Sequence, residues 1–132
     1  MTASVSIVLP YRNSEETLDE CMKSIQAQDL KDWELLAVND NSSDNSENIV
    51  FEYACNDKRI KPVQSVDTGL VPALNLGIKY SSTSLIARMD ADDRMLPKRL
   101  SSQVGFMENN QDTGLVSCKV EHFSSSTGDT RG

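Results

Sequence analysis

Three times along this chain a short, largely apolar run ends in a polar cluster and gives way to a segment of helical periodicity. The runs are Val5 to Pro10, Trp33 to Val38 and Leu85 to Met89. The clusters are Pro10-Tyr11-Arg12-Asn13, Asn39-Asn41-Asp44 with the residues between them, and Asp90-Ala91-Asp92-Asp93. Short apolar runs without alternation suit strands buried on both faces, and strands alternating with helices at this spacing imply crossover connections. The expected fold class is therefore α/β: a mostly parallel sheet with helices on both faces. In such a sheet the strand ends that lead into helices lie along one edge, which is where ligands bind. The three polar clusters thus share one structural address.

The helices between the runs follow from spacing. Leu18, Cys21, Met22 and Ile25 form an i, i+3, i+4, i+7 stripe that ends near Asp29, and Asn13 with Glu16 resembles a capping box ahead of it. Ile49, Val50 and Tyr53 belong to a second helix capped by Ser43 or Asp44. Ile60 to Val63 reads as a strand that Pro62 confines to an edge. Gly69 supplies a tight turn before a third helix whose apolar stripe is Leu70, Ala73, Leu74, Gly77 and Ile78. The last helix begins near Pro97 and buries Leu100, Val104 and Met107, and Leu115 to Phe123 reads as a final strand. One domain over residues 1–123 is expected, with 124–132 a loop or disordered tail because serine, glycine and threonine dominate it.

Composition narrows the function. A net charge of -7 over 132 residues repels phosphate backbones, so nucleic acid is not an expected partner. A small anionic ligand would need a bridging cation. No apolar run is long enough to span a bilayer, and the first strand lacks the basic leader of a secretory signal. Cys21, Cys55 and Cys118 show no paired metal-ligand spacing, which points to reduced thiols and a cytoplasmic setting, at most peripheral to the inner face of a membrane. His122 has no partner in a recognisable catalytic pattern.

The acidic cluster carries the most chemistry. In an extended segment Asp90 and Asp92 project to the same side about 7 Å apart, a spacing at which two carboxylates can serve one hard divalent cation. A solvated acidic turn ahead of the next helix accounts for the same residues, and the pattern alone leaves both readings open. The glycine fingerprints of dinucleotide folds and phosphate-cradling loops are absent, since the turn after the first strand contains no glycine. Capture of a pyrophosphate by backbone alone is thereby disfavoured.

Taken in order, these motifs resemble the nucleotide-binding half of family 2 glycosyltransferases, the inverting group with the GT-A fold. The resemblance runs from about Val5 to Leu100. Ser6 to Asn13 is similar to the opening strand and its proline turn, Leu35 to Asp44 to the second strand with its acidic, serine-rich end, and Gly69, Ala73, Asn75 and Gly77 to the following helix. Met89 to Asp93 with Pro97 is similar to the DxD element. The resemblance implies a nucleotide-sugar site formed by Pro10, Tyr11, Arg12, Asn13, Asp40, Asn75, Asp90, Ala91 and Asp92. Asp40 would accept a hydrogen bond from the base, UDP-sugars being the favoured donors. Asp92 would be the principal ligand of Mn²⁺ or Mg²⁺, with Asp90 supporting it and Asp93 holding the following turn.

Two departures stand out. The family commonly has an acid where this chain has Asn39 and an aromatic residue where it has Arg12. Inverting transfer also needs a carboxylate base beside the acceptor hydroxyl. Glu121 reads as a strand residue, so the base is expected beyond Gly132, and the chain resembles the donor half of a longer enzyme acting on a glycan or lipid-linked acceptor. The competing readings are a non-catalytic nucleotide-sugar-binding module and a nucleotidyltransferase; the latter lacks its glycine- and lysine-rich opening loop here.

Overall fold

The computed structural model describes residues 3–109, 122–123 and 130–131. Four parallel strands form one sheet in the order β3-β2-β1-β4, with β1 Val5–Tyr11, β2 Trp33–Asn39, β3 Ile60–Gln64 and β4 Ile86–Arg88. Helices α1 Leu18–Gln26, α2 Ser46–Asn56, α3 Leu70–Tyr80 and α4 Arg99–Asn109 connect and follow them. A two-residue antiparallel pair joins β5 His122–Phe123 to β6 Thr130–Arg131. Most of the expected last strand and of the expected tail lies outside the described residues.

β1 and β2 are buried along their whole length, as strands at the centre of a parallel sheet must be. Their register pairs Ile7 with Leu35, Leu9 with Ala37 and Tyr11 with Asn39, so both carboxyl ends stop level with one another. On one face Ile7, Leu9, Leu35 and Ala37 meet Leu18, Cys21, Met22 and Ile25 of α1, Val50 of α2, and Leu100 and Val104 of α4 in a single core. The other face carries α3. Pro62 sits in β3 at the sheet edge, where a missing amide donor breaks no interior ladder.

The stripe of α3 differs from the sequence expectation. Only Ala73 and Gly77 are buried, while Leu70 and Ile78 are half exposed. The reason is close approach: a Cβ added at Gly77 would collide with Val8 Cγ1 and would lie 3.3 Å from Val38 Cγ2. The helix rests on its two smallest side chains, one turn apart, and the larger ones fall to its flanks.

The caps also differ. α1 begins at Leu18 with Thr17 as N-cap, not at Asn13. Asn13 adopts a left-handed φ of 46°, and its Oδ1 accepts the Ser43 amide at 2.8 Å instead of an amide of its own helix. The first helix ends at Gln26, three residues earlier than expected. Asn45 is the N-cap of α2, although Asp44 Oδ1 does accept the Ser46 amide at 3.0 Å. In α4, Met107 is only partly buried.

Candidate functional site

The carboxyl ends of β1, β2 and β4 open on a cavity of about 640 Å³. Its wall is the segment from Pro10 to Thr17, with Asp44 from the β2–α2 loop, Leu70 at the start of α3, and Arg88, Asp90, Ala91 and Asp92 from the end of β4. The two loops that frame it are tied across the sheet. The amides of Asn13, Ser14 and Glu15 donate to Ser42 Oγ at 3.1 Å, Ser46 Oγ at 2.7 Å and Asp44 Oδ2 at 3.2 Å, and Glu15 Oε2 accepts the Asn45 amide at 3.1 Å. Asn13 is therefore a knot between two loops as well as part of the wall.

At the acidic bend, burial alternates residue by residue. Met89 and Ala91 enter the core, and Asp90 and Asp92 face solvent on the cavity side. A turn closes behind them, with the Asp93 amide donating to the Asp90 carbonyl at 3.1 Å. This turn brings a third group in: one carboxylate oxygen from each of Asp90, Asp92 and Asp93 lies within 4.8 Å of the others. The sequence reading favours the turn for Asp93 over direct metal contact; the structure gives it the turn and a place in the cluster. Three hard oxygen donors this close suit a divalent cation that prefers carboxylate and water ligands.

Five carboxylates line the cavity, Glu15, Glu16, Asp44, Asp90 and Asp92, against two guanidiniums, Arg12 and Arg88. Arg88 lies 3.4 Å from Asp90 Oδ1 as a half-exposed pair, which compensates little of the repulsion. Arg12 is exposed on the wall. Sequence reasoning missed Arg88. Its signal was there, because Arg88, Asp90 and Asp92 are alternate residues of one extended run and share a side.

Under the bend lies Cys21, fully buried, its Sγ 3.6 Å from the Asp90 carbonyl oxygen. Burial, and then the carboxylates of Asp93, Asp92 and Asp90, push this thiol up to about 12, so it stays protonated and serves as a small packing group and weak donor. Tyr11 is likewise raised above the usual phenol range, chiefly by burial and further by Glu47 and Asp44.

Two residues expected at the nucleotide sit apart from the cavity lining. Asp40 follows β2 beside Tyr11, whose carbonyl accepts its amide at 2.8 Å, but its own side chain is buried and accepts the Gly69 amide at 3.0 and 3.3 Å. Gly69, at a φ of 119°, is thus held to the end of β2 by the carboxylate. Asn75 is exposed beyond the first turn of α3 and is not part of the cavity wall. The neighbouring Asn39 has its own explanation. Its Nδ2 donates to Glu47 Oε2 at 2.8 Å and to Gln64 Oε1 at 3.0 Å, while its Oδ1 accepts the Ser42 amide at 2.9 Å. A carboxylate at this position would face Glu47 with a like charge, whereas the amide satisfies every partner.

Residues 6–132 match the sequence model of Glycosyl transferase family 2. The chain belongs to that family. Among the family's curated members it is 36% identical over 107 residues to the UDP-Glc:alpha-D-GlcNAc-diphosphoundecaprenol beta-1,3-glucosyltransferase WfgD of Escherichia coli, a match covering 80% of this chain and 42% of WfgD. It is 37% identical over 115 residues to the uncharacterized glycosyltransferase MJ1057 of Methanocaldococcus jannaschii, covering 85% of this chain and 40% of that protein. Among solved structures, TarS 1-349 of S. aureus superposes with a TM-score of 0.75 at 25% identity, covering 82% of this chain and 33% of that one. The same protein in complex with UDP superposes at 0.72. The four-stranded α/β sheet described above is thus the GT-A fold of these family 2 glycosyltransferases, and the chain spans about two fifths of the length of the two curated relatives. No described helix is long and apolar enough to cross a membrane.

Proposed function

We propose that this chain is the donor-binding part of an enzyme that transfers a sugar from a nucleotide diphosphate sugar, a UDP-sugar in preference, to an acceptor hydroxyl with inversion. The observation that carries the reading is the convergence of Asp90, Asp92 and Asp93 at the rim of a cavity whose lining is itself net negative. A pyrophosphate would be repelled from such a wall unless a cation stood between them. The oxygen donors fit Mn²⁺ or Mg²⁺, with Asp92 and Asp90 as the ligands that line the cavity. Bound there, the ion supplies charge neutralisation for the leaving nucleoside diphosphate.

The chain's own residues divide the remaining work. Pro10, Tyr11, Arg12 and Asn13 wall the donor pocket, and the backbone at Ala91 lies between the two carboxylates, where a ribose can approach. Asp40, buried behind the cavity lining and already accepting from Gly69 and Asn41, would take a base N–H on a remaining lone pair once the base reached it. Arg88 is placed to leave Asp90 and pair with a phosphate oxygen when the carboxylate is otherwise engaged. The UDP complex of TarS and the UDP-glucose donor named for WfgD support uridine as the base, and WfgD's diphosphoundecaprenol-linked acceptor supports a glycan or lipid-linked acceptor for the whole protein. The general base for the acceptor belongs, in this reading, to the part of the protein corresponding to the relatives' remaining length.

Titration calorimetry of the chain with UDP, GDP and their sugars, with and without Mn²⁺, tests the reading. Metal-dependent binding of UDP is the expected result. Absence of binding to every nucleotide in the presence of Mn²⁺ defeats it.

A further inference from the structure

The segment made of α1 and its two flanks, from the N-cap Thr17 to Gln28 just past the C-cap, is polar on the side that meets the chain leading from the acidic bend to α4. Thr17, Cys21, Ser24 and Gln28 follow at i, i+4, i+7 and i+11, the spacing of a single helix face. Each reaches backbone between residues 90 and 100. Thr17 Oγ1 donates to the Ala91 carbonyl at 3.1 Å, and Cys21 Sγ approaches that of Asp90. Ser24 Oγ donates to the Cys21 carbonyl at 2.7 Å and accepts the Met95 amide at 2.9 Å. Gln28 is wholly buried and uses both ends of its amide. Its Nε2 donates to the carbonyls of Leu96 at 2.7 Å and Met95 at 3.3 Å, and its Oε1 accepts the Leu100 amide at 3.1 Å. Leu100 stands in the first turn of α4, where amides have no partner within the helix.

Three neighbouring carboxylates repel one another, and an untethered loop would relieve that repulsion by spreading them. Here the backbone behind them is bonded at four stations to side chains of α1 and its two flanks. We propose that the polar side of α1 and its flanks, from Thr17 to Gln28, with Gln28 as the principal positioning residue just past the helix end, holds the acidic bend in its converged form and thereby sets its affinity for a divalent cation. Gln28 touches neither the cavity nor the carboxylates; it acts through the backbone of Met95, Leu96 and Leu100. The inference rests on the reading of the bend as a cation site.

The test uses the chain as it stands, with Mn²⁺ and UDP as probes and with amide hydrogen exchange measured on the metal-free protein. Gln28→Met keeps size and removes every polar contact. It is expected to weaken Mn²⁺ binding in the presence of UDP by up to about tenfold, less than the loss of a partner bonded directly to a ligand. In the metal-free protein it is expected to speed exchange at Met95 and Leu100 roughly tenfold. Ser24→Ala, a milder change that folds if Gln28→Met does not, is expected to act in the same direction at Met95 alone. Glu34→Gln, at the opposite end of the sheet, provides the control: it lowers thermal stability but leaves Mn²⁺ affinity and these two amides unchanged. Equal losses of affinity in Gln28→Met and Glu34→Gln would reduce the effect to general destabilisation and overturn the inference. Unchanged exchange at Met95 and Leu100 overturns it as well, whatever the nucleotide data show. If the unaltered chain takes up no Mn²⁺ with UDP, the functional reading fails, and the exchange data still decide whether α1 grips the bend.

Discussion

The two ends of this sheet treat their carboxylates in opposite ways. At the amino-terminal end Glu34 is buried and surrounded by donors: Lys61 Nζ at 2.7 Å, Ser6 Oγ at 2.5 Å, and the amide and hydroxyl of Ser82 at 2.6 and 2.8 Å. Burial alone would raise this carboxyl, but the bonds from Lys61, Ser6 and Ser82 outweigh it and bring the group down to about 2. At the carboxyl-terminal end Asp90, Asp92 and Asp93 are exposed and crowded together, and the Arg88 guanidinium lies 3.4 Å from Asp90 Oδ1. A carboxylate saturated by the protein fixes structure. Carboxylates brought together at the rim of a cavity present several oxygen donors to one point in solvent.

The contrast can be broken first at the acidic end. Asp92→Ala is expected to abolish metal-dependent UDP binding, a loss beyond the roughly 100-fold that outer-shell changes produce, with little change in the unfolding midpoint. Calorimetry and urea denaturation on the same sample decide it. The converse change, Glu34→Ala, removes the acceptor for Lys61 and Ser82 and is expected to cost about 2–3 kcal/mol of stability while UDP affinity in Mn²⁺ stays the same. An altered affinity would show that the two ends are coupled.

Acid separates the ends further. Because Glu34 ionises at lower pH in the folded chain than in the unfolded one, its contribution is complete above its ordinary value of 4.5 and is lost as pH falls from there toward about 2. Denaturation curves across that window should show stability falling in the unaltered chain and falling less in Glu34→Gln. The smallest effect belongs to Arg88→Ala. Its half-exposed pair with Asp90 predicts a stability change under about 1 kcal/mol, whereas nucleotide affinity should fall if the guanidinium meets the phosphates. A stability loss well above that figure would show that the pair is structural.

Much of this was legible in the residues. The strands β1 and β2, the buried stripe of α1, the edge position of Pro62 and the shared address of the polar clusters all follow from periodicity and from one proline. Such patterns are local, and burial enforces them wherever the segment packs. What escaped the sequence was choice of partner. Asn13 and Glu16 read as a capping box, yet Asn13 Oδ1 crosses 30 residues to Ser43 because the two loops lie side by side. The stripe of α3 read as five apolar residues, yet with the close approach at Gly77 only two of them are buried. Asp40 read as a ligand to the base, yet its carboxylate first fastens Gly69.

The sequence by itself determined the order of strands and helices, the α/β class and the alternation that sets Asp90 and Asp92 on one side of an extended run, because backbone sterics and side-chain period act between near neighbours. Long-range packing is what turns Asp93 back to join them, surrounds Glu34 with donors and brings Gln28 to Leu100 across 72 residues. Those outcomes depend on which surfaces meet when the helices dock. A hydrogen bond between distant residues exists only when packing has already put donor and acceptor within about 3 Å.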